Sequence, residues 1–451
     1  MTLLAFRYSE DRQGYRLESE DCLDNRWAEF MEDLVDTSLA KQAMGMVWSP
    51  QSPSLIETYK LGAEISTQTL PYVCHFTDQV KILTGVNRPK LIVCMGSDGR
   101  FYKQLVKGND DMRQDAVMEQ LFTMVNDLLG ATKESYDRML TIRTYRVLPL
   151  SPCSGVLQWV DNSVPLSEYL FVNEKTSAHN RLRPQDMKHW ECRKKVADSG
   201  SGESRKKAFM EVMQVFQPVL RFFFFENFPA ASEWYGKRLA YTRSVASNSM
   251  MNFVVGLGDR HCSNVLMDKK SAEIVHIDLG IAFEQGKTLR IPELVPFRLT
   301  RDIVDGMGSL GVEGTFRKCS EISLKVLREN RHCLYTVFKV LLYDPLFKWN
   351  ISTRKFLPQN HGGSDLGEQE EVCNSPDDRN AHKTEPVAGK YDDLIRGNRE
   401  AAAAILKIQE KLQGLSNGEI LSVQSQVNLL IQEAQDIFNL SQMFEGWAAW
   451  V

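Results

Sequence analysis

Metal-binding and disulfide patterns are missing from this 451-residue chain. Its nine cysteines are scattered from Cys22 to Cys373, with no Cys-x-x-Cys pair and no Cys/His cluster at zinc spacing. An odd, dispersed set excludes a secreted disulfide framework and fits reduced thiols of the cytosol or nucleus. Long apolar runs are missing too. The densest, Val219 to Phe225, is short and contains Arg221, so it reads as a buried helix and not a membrane span. The opening residues carry no basic leader and reach charge too soon for a secretory signal. Nor is there a basic excess. A net charge of −4 leaves no electrostatic footprint for non-specific nucleic-acid binding by this chain. The expectation is a soluble intracellular protein without a membrane partner or a direct nucleic-acid site.

What is present is ordinary globular material, 43% hydrophobic and 25% charged, enough for two or three domains. Glu29 to Ala43 reads as helix and Ser49 to Ser54 as a breaker-rich linker. From Pro89 the texture changes. Lys90 to Met95 and Arg100 to Lys107 are strand-like around the turn Gly96-Ser97-Asp98-Gly99, which signals a hairpin. Asp110 to Leu129 has apolar residues at helical spacing, and Ile142 to Leu150 and Gly155 to Val160 return to strand character. These segments predict a small α+β lobe. Helical content follows: Lys206 to Phe225, Ser232 to Asn252, and 317–350. The polar stretch Glu191 to Lys207, with Ser199-Gly200-Ser201-Gly202, reads as a mobile surface insertion. The acidic, apolar-poor segment 351–395 reads as disordered, before helix at Ala401 to Lys407 and an apolar tail from Ile420.

Chemistry concentrates in one stretch. Two apolar runs, Val254 to Leu257 and Val265-Leu266, flank a loop holding Asp259, Arg260, His261 and Asn264; Ile274-Val-His-Ile277 then delivers Asp278. Charged groups between apolar strands are costly unless paired or used. Phosphoryl transfer needs an oriented hydroxyl, neutralised phosphate charge and ligands for a divalent cation. Asp259 can orient or deprotonate a hydroxyl, His261 can relay a proton or stabilise charge, and Asn264 and Asp278 are hard oxygen ligands. Lys107 ends the second strand ahead of Asp110, Asp111 and Asp115; read alone, it is a solvated lysine beside a negative helix start. The turn of Gly96, Ser97 and Gly99 matches neither G-x-G-x-x-G nor the Walker A pattern, so a plain hairpin turn is its better isolated reading. Tyr145 and Trp159 read first as structural aromatics, with an indole between lobes as an adenine cover the second reading.

Assembled, these residues resemble the phosphatidylinositol-3-kinase-related protein kinases. The resemblance rests on Lys107-Gly-x-Asp110-Asp-x-Arg113-Gln-Asp115, Lys237 to Ala246, Gly256-Leu-Gly-Asp-Arg-His261-x-x-Asn264 and His276-Ile-Asp-Leu-Gly280. It extends through Val295-Pro-Phe-Arg-Leu-Thr-Arg301 to Gly308, Gln426 to Ile431 and the closing Gly446-Trp-Ala-Ala-Trp-Val451, which looks like the family's FATC segment. It implies a bilobal α+β kinase fold: a small antiparallel-sheet N-lobe, a larger mostly helical C-lobe and a helical FATC tail. The implied division is a remnant of the preceding FAT region (1–85), N-lobe (86–160), C-lobe (161–350), linker (351–399), helix (400–418) and FATC (419–451). By the family pattern, Gly96, Ser97, Gly99 and Lys107 contact ATP phosphates, and Asp110 and Asp115 support the lysine. Tyr145, Leu157, Trp159 and Val160 line the adenine pocket. Asp259 and His261 are catalytic, and Asn264 and Asp278 hold Mg²⁺, with Mn²⁺ as its substitute. The family phosphorylates Ser or Thr in proteins, this branch before Gln, in nuclear DNA-damage signalling, with damage sensors as partners and homodimers as its assembly. Such kinases run to thousands of residues, so the expectation is a fragment or a short form that lacks the recruiting regions. The rival readings are a phosphoinositide kinase and an idle scaffold. Phe283 to Pro292 has only two separated basic groups and one acid, too little charge for a multiply phosphorylated head group, which favours a protein substrate.

Overall fold

The computed structural model describes residues 8–11, 14–17, 73–84, 87–151, 153–342, 402–416 and 418–451. The expected helix at Glu29 to Ala43, the Ser49 to Ser54 linker and the 351–395 segment lie outside the described residues.

Alternating side chains and a glycine-bearing turn build the first lobe. Strands β1 (Tyr8–Asp11), β2 (Gly14–Leu17), β3 (Val73–Phe76), β4 (Gln79–Ile82), β5 (Lys90–Gly96) and β6 (Phe101–Gly108) precede helix α1 (Arg113–Ala131). After the short α2 (Lys133–Tyr136) come β7 (Val147–Ser151) and β8 (Ser154–Gln158). The antiparallel order is β1-β2-β4-β5-β6-β8-β7, with β3 also on β5. The register pairs Met95 with Phe101 at the turn and Lys107 with Gly155 at the far end. Gly155 is needed there, since a Cβ would stand 2.7 Å from the Met112 side chain. The strand expected from Ile142 begins only at Val147. Ile142 and Tyr145 bond to side chains and not to a ladder: Asn126 pairs both polar groups of Ile142 at 2.7 Å and Glu119 accepts the Tyr145 N–H, while at Arg146 the Gln158 side chain takes the N–H and the Gln158 backbone N–H reaches the carbonyl.

The second lobe is mostly helical. Strand β9 (Ser163–Pro165) leads to helices α3 (Ala178–Leu182), α4 (His189–Ala197), α5 (Glu203–Val215), α6 (Arg221–Asn227) and α7 (Ala231–Val255). The helix expected across Lys206 to Phe225 is broken at 216–220, where Pro218 cannot donate to a helix. Strands β10 (Val265–Asp268) and β11 (Ile274–His276) pair as a hairpin, with β9 on the other edge of β10. Helices α8 (Arg301–Met307), α9 (Thr315–Glu329) and α10 (Arg331–Leu342) follow. α7 buries most of its C-terminal half, from Tyr241 to Val255, including Ser244, Ser247, Asn248 and Asn252. It stops at Gly256, whose φ of +59° and contact with the Glu284 backbone, 2.6 Å from a built Cβ, both demand glycine.

Helix α11 (402–413), the β12–β13 hairpin (Leu415–Ser416, Glu419–Ile420), α12 (Val423–Gln435) and α13 (Ile437–Gln442) close the chain. The tail packs into the same core as the C-lobe helices, with Trp447, Trp450 and Val451 buried.

The Glu191 to Lys207 segment corrects its reading as a mobile insertion. Cys192, Val196 and Arg205 are buried, and Arg205 donates to the carbonyls of Ser441 and Met443 at 2.7 and 2.8 Å. Arg205 thus serves the tail, while Lys194, Asp198, Ser201 and Glu203 face solvent. Next to it, His189 stacks on Phe171 at 3.7 Å and lies 5.5 Å from the Trp450 ring. Burial, aided by Arg193 and His179, lowers the His189 imidazole to about 3. The unfolded chain takes a proton near the ordinary value and the folded one refuses it. The stability from this group is therefore complete above about pH 6.5 and lost as pH falls towards 3. A melting series from about pH 7 to 5 should fall with acid, and His189→Phe should flatten that slope.

Candidate active site

Three elements converge on Lys107. The end of β6 brings the lysine, the turn into α1 brings Asp110, the first turn of α1 brings Asp115, and the chain leaving β11 brings Asp278. Lys107 Nζ lies 3.6 Å from Asp110 and 4.0 Å from Asp278. Burial works against the ammonium, yet Asp278, Asp115 and Asp110 together hold its pKa above the ordinary value, so it stays charged. Asp115 is wholly buried; burial and the nearby Asp278 raise its carboxyl to about 6, against the pull of Lys107. It accepts the Leu279 N–H at 3.0 Å, and Gln114 donates to the Leu279 carbonyl at 3.0 Å. Helix α1 thus pins the backbone beside Asp278 from both sides.

The loop after α7 forms the opposite wall. Asp259 and Asp278 both have left-handed backbones, φ +56° and +57°, which turn their carboxylates out of the chain direction. Asn264 donates to the carbonyl of Asp259 at 3.0 Å and to its carboxylate at 3.3 Å. The Asn264 carbonyl takes the Ile277 N–H at 3.0 Å, so the β10–β11 pairing sets Asn264 beside the residue before Asp278. His261 Nδ1 accepts the Ser263 N–H at 3.2 Å, which puts the ring proton on Nε2, 3.8 Å from Asp259. Burial lowers the imidazole below its ordinary value despite Asp259, so the neutral form prevails. Burial also raises Asp259, with His261 and Arg260 opposing. Buried Arg260 ties the walls together by donating to the carbonyls of Gly258, Ile277 and Asp278.

Between the lobes lies a separate apolar cluster of Met112, Tyr145, Leu157, Leu266 and Val275, edged by Leu105, Val147, Val160 and Ile277. Among the described residues the buried Tyr145 hydroxyl has no hydrogen-bond partner. Tyr145→Phe should therefore leave the melting temperature unchanged or raise it slightly, since an unsatisfied hydroxyl costs about 1–3 kcal/mol; a clear fall would reveal a partner. Trp159 is half-buried just past β8 and outside this cluster, its N–H donating to the Lys103 carbonyl at 3.2 Å. Gly96, Ser97 and Gly99 sit on the outer hairpin turn, where the Gly99 N–H meets the Gly96 carbonyl at 2.9 Å and Asp98 takes the Tyr102 hydroxyl at 2.6 Å.

Similarity to known proteins bears on this assembly. The family model described as phosphatidylinositol 3- and 4-kinase matches residues 102–351, and the FATC domain matches 420–451. This chain belongs to that kinase family. Its similarity to "Serine-protein kinase ATM" of Sus scrofa is 48% identity over 378 residues, 83% of this chain and 12% of the relative. "Serine/threonine-protein kinase ATM" of Arabidopsis thaliana is 45% identical over 385 residues, 85% of this chain and 10% of the relative. The chain thus spans roughly an eighth or less of those relatives' lengths. Among solved structures, the FAT and kinase domain of CtTel1 matches at TM-score 0.72 and 37% identity, over 96% of this chain and 29% of that one. The complete CtTel1 dimer with C2 symmetry matches equally well, with 16% of that chain covered.

For a member of the phosphatidylinositol 3- and 4-kinase family, the wall residues that sequence reading passes over are the supports. Leu266, Val275 and Ile277 join Tyr145 and Leu157, and their alternation along β10 and β11 was the available signal. Arg260 sits inside the motif without a role, and Glu119 shows no sequence signal beyond helical phase. Glu293 and Arg298, each beyond the loop in sequence, reach back to it. The Asp259 N–H points at both Glu293 oxygens, 2.9 and 3.0 Å, and Arg298 donates to the Arg260 carbonyl at 3.2 Å. Among the described residues no cluster of three or more His, Cys, Asp or Glu is set to hold a metal ion. Asn264 and Asp278 can therefore hold one only with oxygens from a second source.

Proposed function

We propose that this chain is the catalytic region of a serine/threonine protein kinase, transferring the ATP γ-phosphoryl group to Ser or Thr followed by Gln in DNA-damage signalling. The observation that carries this reading is Lys107 held charged among Asp110, Asp115 and Asp278 at the junction of the lobes. A fixed cation at that point suits nucleotide phosphates, which favours Lys107 as their contact and Asp110 and Asp115 as its supports. The Tyr145, Leu157 and Val160 cluster beside it suits a flat apolar ring, with Trp159 at its mouth. Gly96, Ser97 and Gly99 would cover the phosphates from the outer hairpin.

The donor set fits Mg²⁺ or Mn²⁺: one carboxylate from Asp278 and one amide oxygen from Asn264, the rest coming from phosphate and water. When bound, such an ion neutralises phosphate charge. Asp259 orients the substrate hydroxyl and accepts its proton. Neutral His261, with its proton on Nε2, donates to the developing charge. The relatives named as serine or serine/threonine kinases support protein as the acceptor. So does the segment after Asp278, where the Lys287 ammonium is paired with Glu284 at 2.6 Å, leaving little free positive charge. Nuclear residence and assembly as a homodimer complete the proposal, the latter supported by the CtTel1 dimer.

The test offers the purified chain Mg·ATP with a Ser-Gln peptide, an otherwise identical Ser-Ala peptide, and phosphatidylinositol vesicles. Transfer to the first above the second is expected. Transfer to lipid alone would make it a phosphoinositide kinase, and neither transfer nor nucleotide binding would make it a scaffold.

A further inference from the structure

The Asp259 peptide is strained, and something must hold it. A left-handed backbone at a non-glycine residue persists only where its surroundings over-determine it. Here Asn264 holds the Asp259 carbonyl, and the N–H on the other side is held by one carboxylate. Glu293, 34 residues downstream and largely shielded from solvent, receives the Asp259 N–H on both oxygens. Its own N–H is bonded to the Gly286 carbonyl at 3.0 Å. The slot for it is cut from two backbones: a Cβ on Gly258 or on Gly286 would stand 2.7 Å from Glu293 Oε2. A Cβ on Gly258 would also come within 3.1 Å of the Gly286 Cα. The two glycines let the loop and the downstream segment approach so closely that only a carboxylate lies between them.

Among the described residues no cation stands at ion-pair distance from Glu293, and burial with the nearby Asp259 raises its carboxyl to about 7. A fold seeking stability alone would not place two carboxylates there. Behind Glu293 the chain is tied to the tail, the Leu294 N–H lying 3.4 Å from the Met443 sulfur.

We propose that Glu293 is a positioning residue that holds the Asp259 peptide, and so the Asp259 carboxylate, in the geometry for phosphoryl transfer. This rests on the reading of Asp259 as the group that receives the substrate proton.

The experiment is a double-mutant cycle on the full chain, with the Ser-Gln peptide as substrate. Glu293→Ala should lower kcat about a hundredfold, the effect of misplacing a reacting group by about an ångström. The KM for ATP should stay within about twofold, because the nucleotide contacts lie elsewhere. On an Asp259→Asn background the same change should cost less than about threefold, since it then has nothing left to position. Gly258→Ala, which fills the slot but leaves Glu293 in place, should reproduce the kcat loss. Should Glu293→Ala not fold, Glu293→Gln keeps one acceptor oxygen and should lose about tenfold, again only with Asp259 present. An unchanged kcat, an equal loss on both backgrounds, or a rise in ATP KM that follows the melting temperature overturns the inference. If Asp259→Asn itself leaves kcat unaltered, the reading of Asp259 fails, which the single Asp259 variant shows before any Glu293 variant is compared.

Discussion

Asp259→Asn is expected to lower peptide phosphorylation about a thousandfold while leaving the fold and ATP affinity nearly intact. Asparagine is the informative replacement because it tolerates φ of +56° and keeps an oxygen for the Asn264 amide. Alanine would add backbone strain to the loss of chemistry and blur the two. The variant keeps Lys107, Asp278 and the apolar cluster, so calorimetric ATP binding should shift by less than about threefold. Activity within about tenfold of the parent would end the case for Asp259 as the proton acceptor.

The second large effect lies behind the site. Arg298 is buried, and its guanidinium donates to the carbonyls of Arg260, Trp447 and Ala448 and to a main-chain oxygen of Val451 while stacking 4.3 Å over the Trp447 ring. Burial works against its charge, but the fork satisfies four acceptors that have no water to turn to. Arg298→Met fills the volume and leaves those carbonyls orphaned. At about 1 kcal/mol or more for each, the loss should reach roughly 4 kcal/mol, read as a drop in urea midpoint. Arg298→Lys should recover little, because a single ammonium cannot span a fork's donors. Wild-type stability in Arg298→Met would show that the tail is held without it. Protease cleavage after residue 435 should also quicken in the variant, as the tail loses its anchor to the Asp259–Asn264 loop.

The candidate site was legible in the sequence because it is local. Asp259, His261 and Asn264 lie within six residues, and a polar loop between apolar runs is too costly to keep unless its groups are paired or used. The hairpin of β5 and β6 and the helix α1 were legible for the same reason, each carrying its own period. Supports that act across the chain were not. Glu293 and Arg298 look like ordinary charges ahead of α8, and only the folded path shows that one meets the Asp259 peptide and the other the tail. The 191–207 segment misled in the opposite sense. Its Ser-Gly texture and charge resemble a solvated insertion, but Arg205 is buried against carbonyls that the sequence places more than 230 positions away. Strand length at Ile142 failed because side chains of Asn126, Glu119 and Gln158 replaced a neighbouring strand.

Those separations have a kinetic meaning. The bonds that close the site join Gln114 to Leu279 across 165 positions and Arg298 to Val451 across 153. Loop closure of that span is unfavourable until both ends are already ordered, so local helices such as α1, α7 and α9 form ahead of the site. The reverse holds on opening. As denaturant rises, nucleotide binding should vanish at a lower concentration than helical circular dichroism, because ligand-binding loops are drawn from the low-stability end of a fold. The assembled site is then the last feature to form in folding and the first to open.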